Sequence, residues 1–330
     1  MIKIVCALIT AFFLGMFLAP LVIWTVKKLK VRQTILCYVT QHKDKEGIPT
    51  MGGLIFIVAT VVSCLIFWKG NKTLAITTLA VTAAYCAIGF LDDILKVILK
   101  RNLGLRAYQK IISQSAIAIL ATIFAYKNQY VGGEIILPII NKTISLGWWY
   151  LPFGFIVYVA TTNAVNLCDG LDGLAGSVMT VYLSAIFVLI GIKYNEASEM
   201  GLTFYAQELN NLMIYCAALV GGIMAFLWHN SYKAKVFMGD TGSLALGGSC
   251  AILPTLIKNP LAIIFAGGVF VWTAVSVIIQ VFYYKLTKKR VFLMAPFHHH
   301  LEKKGINESK VVTYYCVITV ICGLLTIIIF

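Results

Sequence analysis

Two adjacent carboxylates, Asp92 and Asp93 in "AIGFLDDILKVILKR", stand at the end of a long apolar run. A charge at the edge of a low-dielectric region is costly unless something pairs with it. Lys96 and Lys100 follow at helical spacing and offer local salt bridges. An acidic pair so placed also suits Mg²⁺, which takes hard oxygen ligands and shares them with phosphates, or a base that deprotonates a phosphate. In "NAVNLCDGLDGLAG", Asn163, Asn166, Asp169 and Asp172 recur at intervals of three, along one side of a helical or turning segment. Capping accounts for one such residue, not four.

Three more stretches have this character. In "HNSYKAKVFMGDTGSLALGG", which opens with His229 and Asn230, Asp240 and the Thr241, Gly242 and Ser243 after it read as a helix start whose free N–H groups could hold phosphate. Lys233 and Lys235 add positive charge, and Phe237 offers a ring to a base or to the membrane interface. "PFHHHLE" places His298, His299 and His300 outside the membrane, where they need not be core residues. Consecutive imidazoles converge poorly on one zinc and suit phosphate contact or proton transfer near neutral pH. "HKDKEGIPTMGG" supplies Lys43, Lys45 and the Thr50 hydroxyl beside Pro49, Gly52 and Gly53.

The elements that must position these groups are membrane helices. Of 330 residues 60% are hydrophobic and 12% charged, with mean hydropathy +0.89, against roughly 25% charged in a soluble domain. Apolar runs occupy 2–25, 52–68, 74–91, 111–126, 149–165, 174–192, 210–228, 244–257, 261–284 and 311–330. The expected fold is therefore an all-α integral membrane protein of about ten transmembrane helices, one polytopic domain over 1–330. The first run lacks a cleavage signal and reads as a retained anchor. Segment 127–148, with Gly-Gly and Pro between β-branched runs, predicts a small outer-face hairpin. The ninth run is long and is expected to tilt or bend, delivering the basic 285–310 loop toward the other clusters.

Twenty of the 27 Lys and Arg fall in the loops 27–50, 96–110, 229–243 and 285–310, which makes that face, with the 166–173 turn, cytoplasmic. All five polar clusters lie there. The net charge of +14 is spread over short juxtamembrane loops, so membrane lipids and anionic substrates are the expected partners and no nucleic acid is. The nine cysteines include no CxxC pair and read as packing residues.

In order and placement, "PTMGG", "LDD", "NLCDGLDGLAG", "FMGDTGSLALGG" and "PFHHHLE" resemble the polyprenyl-phosphate N-acetylhexosamine-1-phosphate transferases over essentially the whole chain. "PTMGG" and the triple histidine favour the muramoyl-pentapeptide branch. Departures are slight: Ile48 and Cys168 each stand where threonine is common. The resemblance implies a bacterial cytoplasmic-membrane enzyme that uses Mg²⁺ to join UDP-MurNAc-pentapeptide to undecaprenyl phosphate, giving lipid I and UMP in peptidoglycan synthesis. It makes Asp240 a principal Mg²⁺ ligand, Asp92 the base for the lipid phosphate and Asp93 a support to metal and geometry. His298, His299 and His300 would contact phosphates. Uracil would lie against Phe237 with Lys45, Asp172 and Asn230 nearby, and Thr50, Asn166 and Asp169 further along the cleft. The ninth helix would wall the isoprenoid groove, and a homodimer is a family expectation. A covalent phospho-sugar on Asp93 or Asp240 stays open, as do transfer of N-acetylglucosamine-1-phosphate and, in another class, lipid or anion transport.

Overall fold

Hydrocarbon offers the backbone no hydrogen-bond partners, so a chain this apolar must satisfy its amides internally, and it does so almost wholly as helix. The structure is a computed structural model, which describes residues 1–28, 47–99, 104–140 and 142–330. Its elements are α1 (Ile2–Lys28), α2 (Gly53–Phe67), α3 (Thr73–Ile98), α4 (Ala107–Lys127), β1 (Glu134–Leu137), β2 (Lys142–Ser145), α5 (Tyr150–Cys168), α6 (Leu174–Glu199) and α7 (Thr203–Asn230), followed by α8 (Gly239–Leu256), α9 (Ala262–Ala266), α10 (Gly268–Thr287), α11 (Phe297–Lys303) and α12 (Glu308–Ile329).

All ten apolar runs become helix, but not ten equivalent spans. Among the described residues eight helices are long and apolar enough to cross a membrane. The two exceptions are α2, with 15 residues, and α8, with 18. Every residue of α8 from Thr241 to Leu256 is buried. This helix is surrounded by protein rather than lipid, which is why it tolerates the polar start Gly-Asp-Thr-Gly-Ser. Its neighbours are α3 and α5, while α7 is enclosed by α1, α2 and α6. The ninth run, expected to tilt or bend, is interrupted at Gly267 between α9 and α10.

Close packing here comes from small residues and a few directional bonds, because lipid tails compete evenly for apolar side chains. On α1 the buried stripe Ala7, Ala11, Gly15, Ala19 recurs every four residues. The Ser63 hydroxyl donates to the Ala7 carbonyl at 2.8 Å, and Thr82, Tyr215 and Ser249 join α3, α7 and α8 at 2.7–2.9 Å.

At the end of the bundle away from the five clusters, β1 and β2 form the expected antiparallel hairpin, with Glu134 opposite Ser145 and Leu137 opposite Lys142. Glu134 pairs with Lys258 at 2.7 Å, and the Ile139 N–H donates to the Ile329 carbonyl. The hairpin thus fastens α12 to the α8–α9 turn. Glu208 on α7 accepts the Thr73 and Leu74 N–H groups at 2.9 and 2.8 Å, capping α3.

At the opposite end, α3 crosses α8 so closely that a Cβ on Gly89 would collide with the Asp240 carbonyl oxygen. Only glycine permits that approach. Gly89→Ala should therefore destabilise the fold by about 1–3 kcal/mol, the usual cost of overpacking. The check is a lowered midpoint in a detergent thermal melt, with Ala80→Gly on the same helix as control.

Candidate active site

Adjacent positions on a helix point about 100° apart, so Asp92 and Asp93 must serve different neighbours. Asp93 turns toward α8: its Oδ1 accepts the Asp240 N–H at 3.3 Å, and its Oδ2 accepts the Thr241 N–H at 2.9 Å and hydroxyl at 2.7 Å. A carboxylate from α3 thereby caps a different helix. The N–H groups that open α8, expected to be free for phosphate, are in part already taken, since a buried helix start without acceptors is unfavourable. Asp92 turns the other way. Its Oδ1 accepts the Leu105 N–H at 2.9 Å, fixing the entry to α4, and its Oδ2 pairs with Lys96 at 2.6 Å.

Both carboxylates are buried, and the half-buried Asp240 lies beside them. One oxygen from each of the three lies within 4.8 Å of the others. Lys96 Nζ sits among them, 2.7 Å from Asp240 and 3.4 Å from Asp93 as well as bonded to Asp92. Lys110, from the first turn of α4, adds a second ammonium 3.0 Å from Asp240 Oδ2. The remaining Asp240 oxygen accepts from Asn166 Nδ2 at 2.6 Å, and that amide also donates to Ser243 Oγ at 2.7 Å. Three hard oxygen donors facing one small volume fit Mg²⁺, which would compete with Lys96 for the same oxygens.

The other clusters close around this centre by backbone pairing. Phe237 donates its N–H to the Pro49 carbonyl, while Gly52 and Gly53 donate to the Phe237 and Met238 carbonyls, all at 2.8–3.1 Å. "PTMGG" and "FMGD" are thus two sides of one tie, which buries Thr50 and leaves Phe237 half-buried. Asp172 Oδ2 accepts the Ala234 N–H at 3.1 Å, and its own N–H donates to Glu308 at 2.7 Å. Asn230 takes the Gly173 N–H at 3.0 Å and gives to the Val236 carbonyl at 2.8 Å. Both side chains therefore shape the 231–237 turn that carries Phe237.

The histidines differ from one another. After α10 the chain folds back, with the Gln280 carboxamide accepting the Val291 and Phe292 N–H groups and Ser276 Oγ accepting that of Phe297. The result is α11, where His298 is fully buried although a position outside the membrane did not require it to be. The turn after α5 covers it: a Cβ on Gly170 would strike its Nε2. His299 Nδ1 lies 2.7 Å from Glu302 Oε2, which orients the ring. His300 Nδ1 accepts the Leu293 N–H at 3.1 Å, consistent with a neutral ring whose pKa is lowered by desolvation and by Lys304. Lys43, Lys45 and Lys100 lie outside the described residues, and Lys233 and Lys235 are exposed.

Lys110, Glu302 and Glu308 were not singled out from sequence, and Thr241 and Ser243 were named only for the backbone of a helix start. Nothing in the spacing of Lys110 marks it, because its partner Asp240 lies 130 residues away.

Asp169, at the C-terminal cap of α5, is pushed up from its ordinary 3.8 to about 7 by burial, then by the negative charges of Asp240, Asp93 and Asp172. A carboxyl with a raised folded pKa holds its proton better folded than unfolded, so its contribution to stability falls as pH rises from about 4 to about 7. Asp169→Asn removes that loss. In metal-free buffer its thermal midpoint should exceed wild type by a margin that opens across this interval and is constant above it; a margin independent of pH would contradict the account.

The chain is also similar to known proteins. The model described as glycosyl transferase family 4 matches residues 75–258, and a phospho-N-acetylmuramoyl-pentapeptide-transferase signature matches residues 45–57, the "PTMGG" segment. Proteins named phospho-N-acetylmuramoyl-pentapeptide-transferase are similar along nearly their whole length. The one from Clostridium kluyveri is 41% identical over 97% of both chains. That of Clostridium botulinum strain Alaska E43 is 44% identical over 96% of this chain and 94% of its own. The Thermoanaerobacter sp. strain X514 protein is 44% identical over 98% of each. This chain, whose apolar bundle gathers three carboxylates and two lysines beside that signature, belongs to the phospho-N-acetylmuramoyl-pentapeptide-transferase family within glycosyl transferase family 4.

Proposed function

We propose that this membrane transferase moves phospho-N-acetylmuramoyl-pentapeptide from UDP-MurNAc-pentapeptide to undecaprenyl phosphate, giving lipid I and UMP at the cytoplasmic face of the bacterial inner membrane. The observation that carries this reading is the convergence of Asp92, Asp93 and Asp240 with Lys96 and Lys110 at one end of the bundle. Two phosphate-bearing substrates, one soluble and one in lipid, repel each other, and a site on the membrane boundary must offset that repulsion to bring them together.

In this reading a non-bridging oxygen of the lipid phosphate attacks the phosphorus attached to the sugar. A new P–O bond forms, the bond to the bridging oxygen breaks, and UMP leaves with that electron pair. Asp240, with Asp92 and Asp93 beside it, would hold Mg²⁺, whose chemistry is to neutralise charge on the pyrophosphate. Asp92 takes the proton of the lipid phosphate, and Lys110 and Lys96 keep the developing charge in place. Phe237 stacks on uracil, with Lys45, Asp172 and Asn230 around the nucleoside and Thr50, Asn166 and Asp169 along the pyrophosphate cleft. His298, His299 and His300 line its far side. Direct transfer is favoured over a covalent phospho-Asp93 because both Asp93 oxygens already accept bonds from α8.

The test is UMP release by purified protein given both substrates and Mg²⁺. Wild type should turn over, and Asp240→Ala should lose roughly two to three orders of magnitude, the scale for removing a main electrostatic stabiliser. Transfer from UDP-N-acetylglucosamine alone would move the substrate to the sibling branch, and no turnover with either sugar nucleotide would overturn the reading.

A further inference from the structure

Two helices reach Asp240 with one side chain each: α4 through Lys110, at 3.0 Å from Oδ2, and α5 through Asn166, at 2.6 Å from Oδ1. One turn deeper the same helices are bridged again. Gln114 stands four residues after Lys110, Asn163 three before Asn166, and Asn163 Nδ2 donates to Gln114 Oε1 at 2.8 Å. Beyond this bond the α4–α5 contact runs through small residues, with Ala118, Ala121 and Ala125 buried on α4 and Gly154 of α5 packed against Thr122, until Tyr126 meets Tyr150 at the far end, ring centroids 6.2 Å apart. Such surfaces set how close two helices lie but resist sliding along the axis weakly. A hydrogen bond between side chains is directional and fixes that register.

Gln114 is an expensive way to do this. It is fully buried, and its Nε2 has no acceptor among the described residues. An unpaired amide in the interior carries a desolvation cost that methionine, of similar length, would avoid. We infer that Gln114 is a positioning residue for the transfer: through Asn163 it holds α4 and α5 in the register at which Lys110 and Asn166 meet the same carboxylate. The inference rests on the site reading above. It places a residue that weakens the fold at the point where a shift of one residue, about 1.5 Å, would separate Lys110 from Asp240.

The test uses the full chain in detergent and separates stability from rate. Gln114→Met should melt no lower than wild type, while kcat for UMP release falls ~10-fold or more and KM for the sugar nucleotide stays near the wild-type value. Asn163→Ala approaches the bridge from the other helix, and the double variant should lose no more rate than the worse single one, as expected of two residues acting through one bond. A lowered melting point with a parallel loss of rate, or failure of Gln114→Met to fold, would make Gln114 merely structural and overturn the inference. Full rate in Gln114→Met, or additive losses in the double variant, would overturn it too. An inactive wild type is a different result, since it removes the transferase reading and this inference with it.

Discussion

Three carboxylates meet at the end of an apolar bundle, where their mutual repulsion is poorly screened, and the surrounding elements are arranged so that this charge can exist there. Asp93 is met by the start of α8, Asp92 by the entry to α4 and by Lys96, and Asp240 by Lys96, Lys110 and Asn166. In a low-dielectric setting an unpaired charge costs several kcal/mol. Every one of these contacts is therefore also a condition on where a helix may lie. Moving α8 strips the donors from Asp93, and moving α4 strips a cation from Asp240.

This dependence explains the place of α8 in the fold. A helix that starts Gly-Asp-Thr-Gly-Ser would be a poor span against lipid, yet it is the most completely enclosed helix of the bundle. Its first turn is capped by another helix, and its entry is tied by the pairing of Pro49–Gly53 with Phe237–Met238. The protein encloses a helix with this polar start between α3 and α5. That arrangement is also what a reaction between a lipid phosphate and a soluble sugar nucleotide requires, since the polar groups lie where the hydrocarbon ends.

The second layer of the site works by holding backbone. Asp172, Asn230, Glu308, Gln280 and Ser276 bond main-chain groups of the turns that carry Phe237 and the histidines. A loop at a membrane boundary has few apolar contacts to rigidify it, so buried polar side chains bonded to its amides supply the order instead. His298, His299 and His300, adjacent in sequence, end in three environments for the same reason: one faces the α5–α6 turn, one a carboxylate and one a loop amide.

Sequence alone was enough for the membrane class, the placement of the apolar runs and the hairpin in segment 127–148. These follow from hydropathy period and turn residues, both local properties of the chain. It was also enough for the family, because the motifs keep their order. It did not disclose that Asp92 and Asp93 serve different helices, that α8 is enclosed rather than lipid-facing, that His298 is buried, that Lys110 pairs with Asp240, or that Gln114 accepts a bond from Asn163. Those facts depend on which helices are neighbours. Lys110 and Asp240 are 130 residues apart, as Gln114 and Asn163 are 49 apart, and no local pattern encodes a pairing that exists only once the helices have packed.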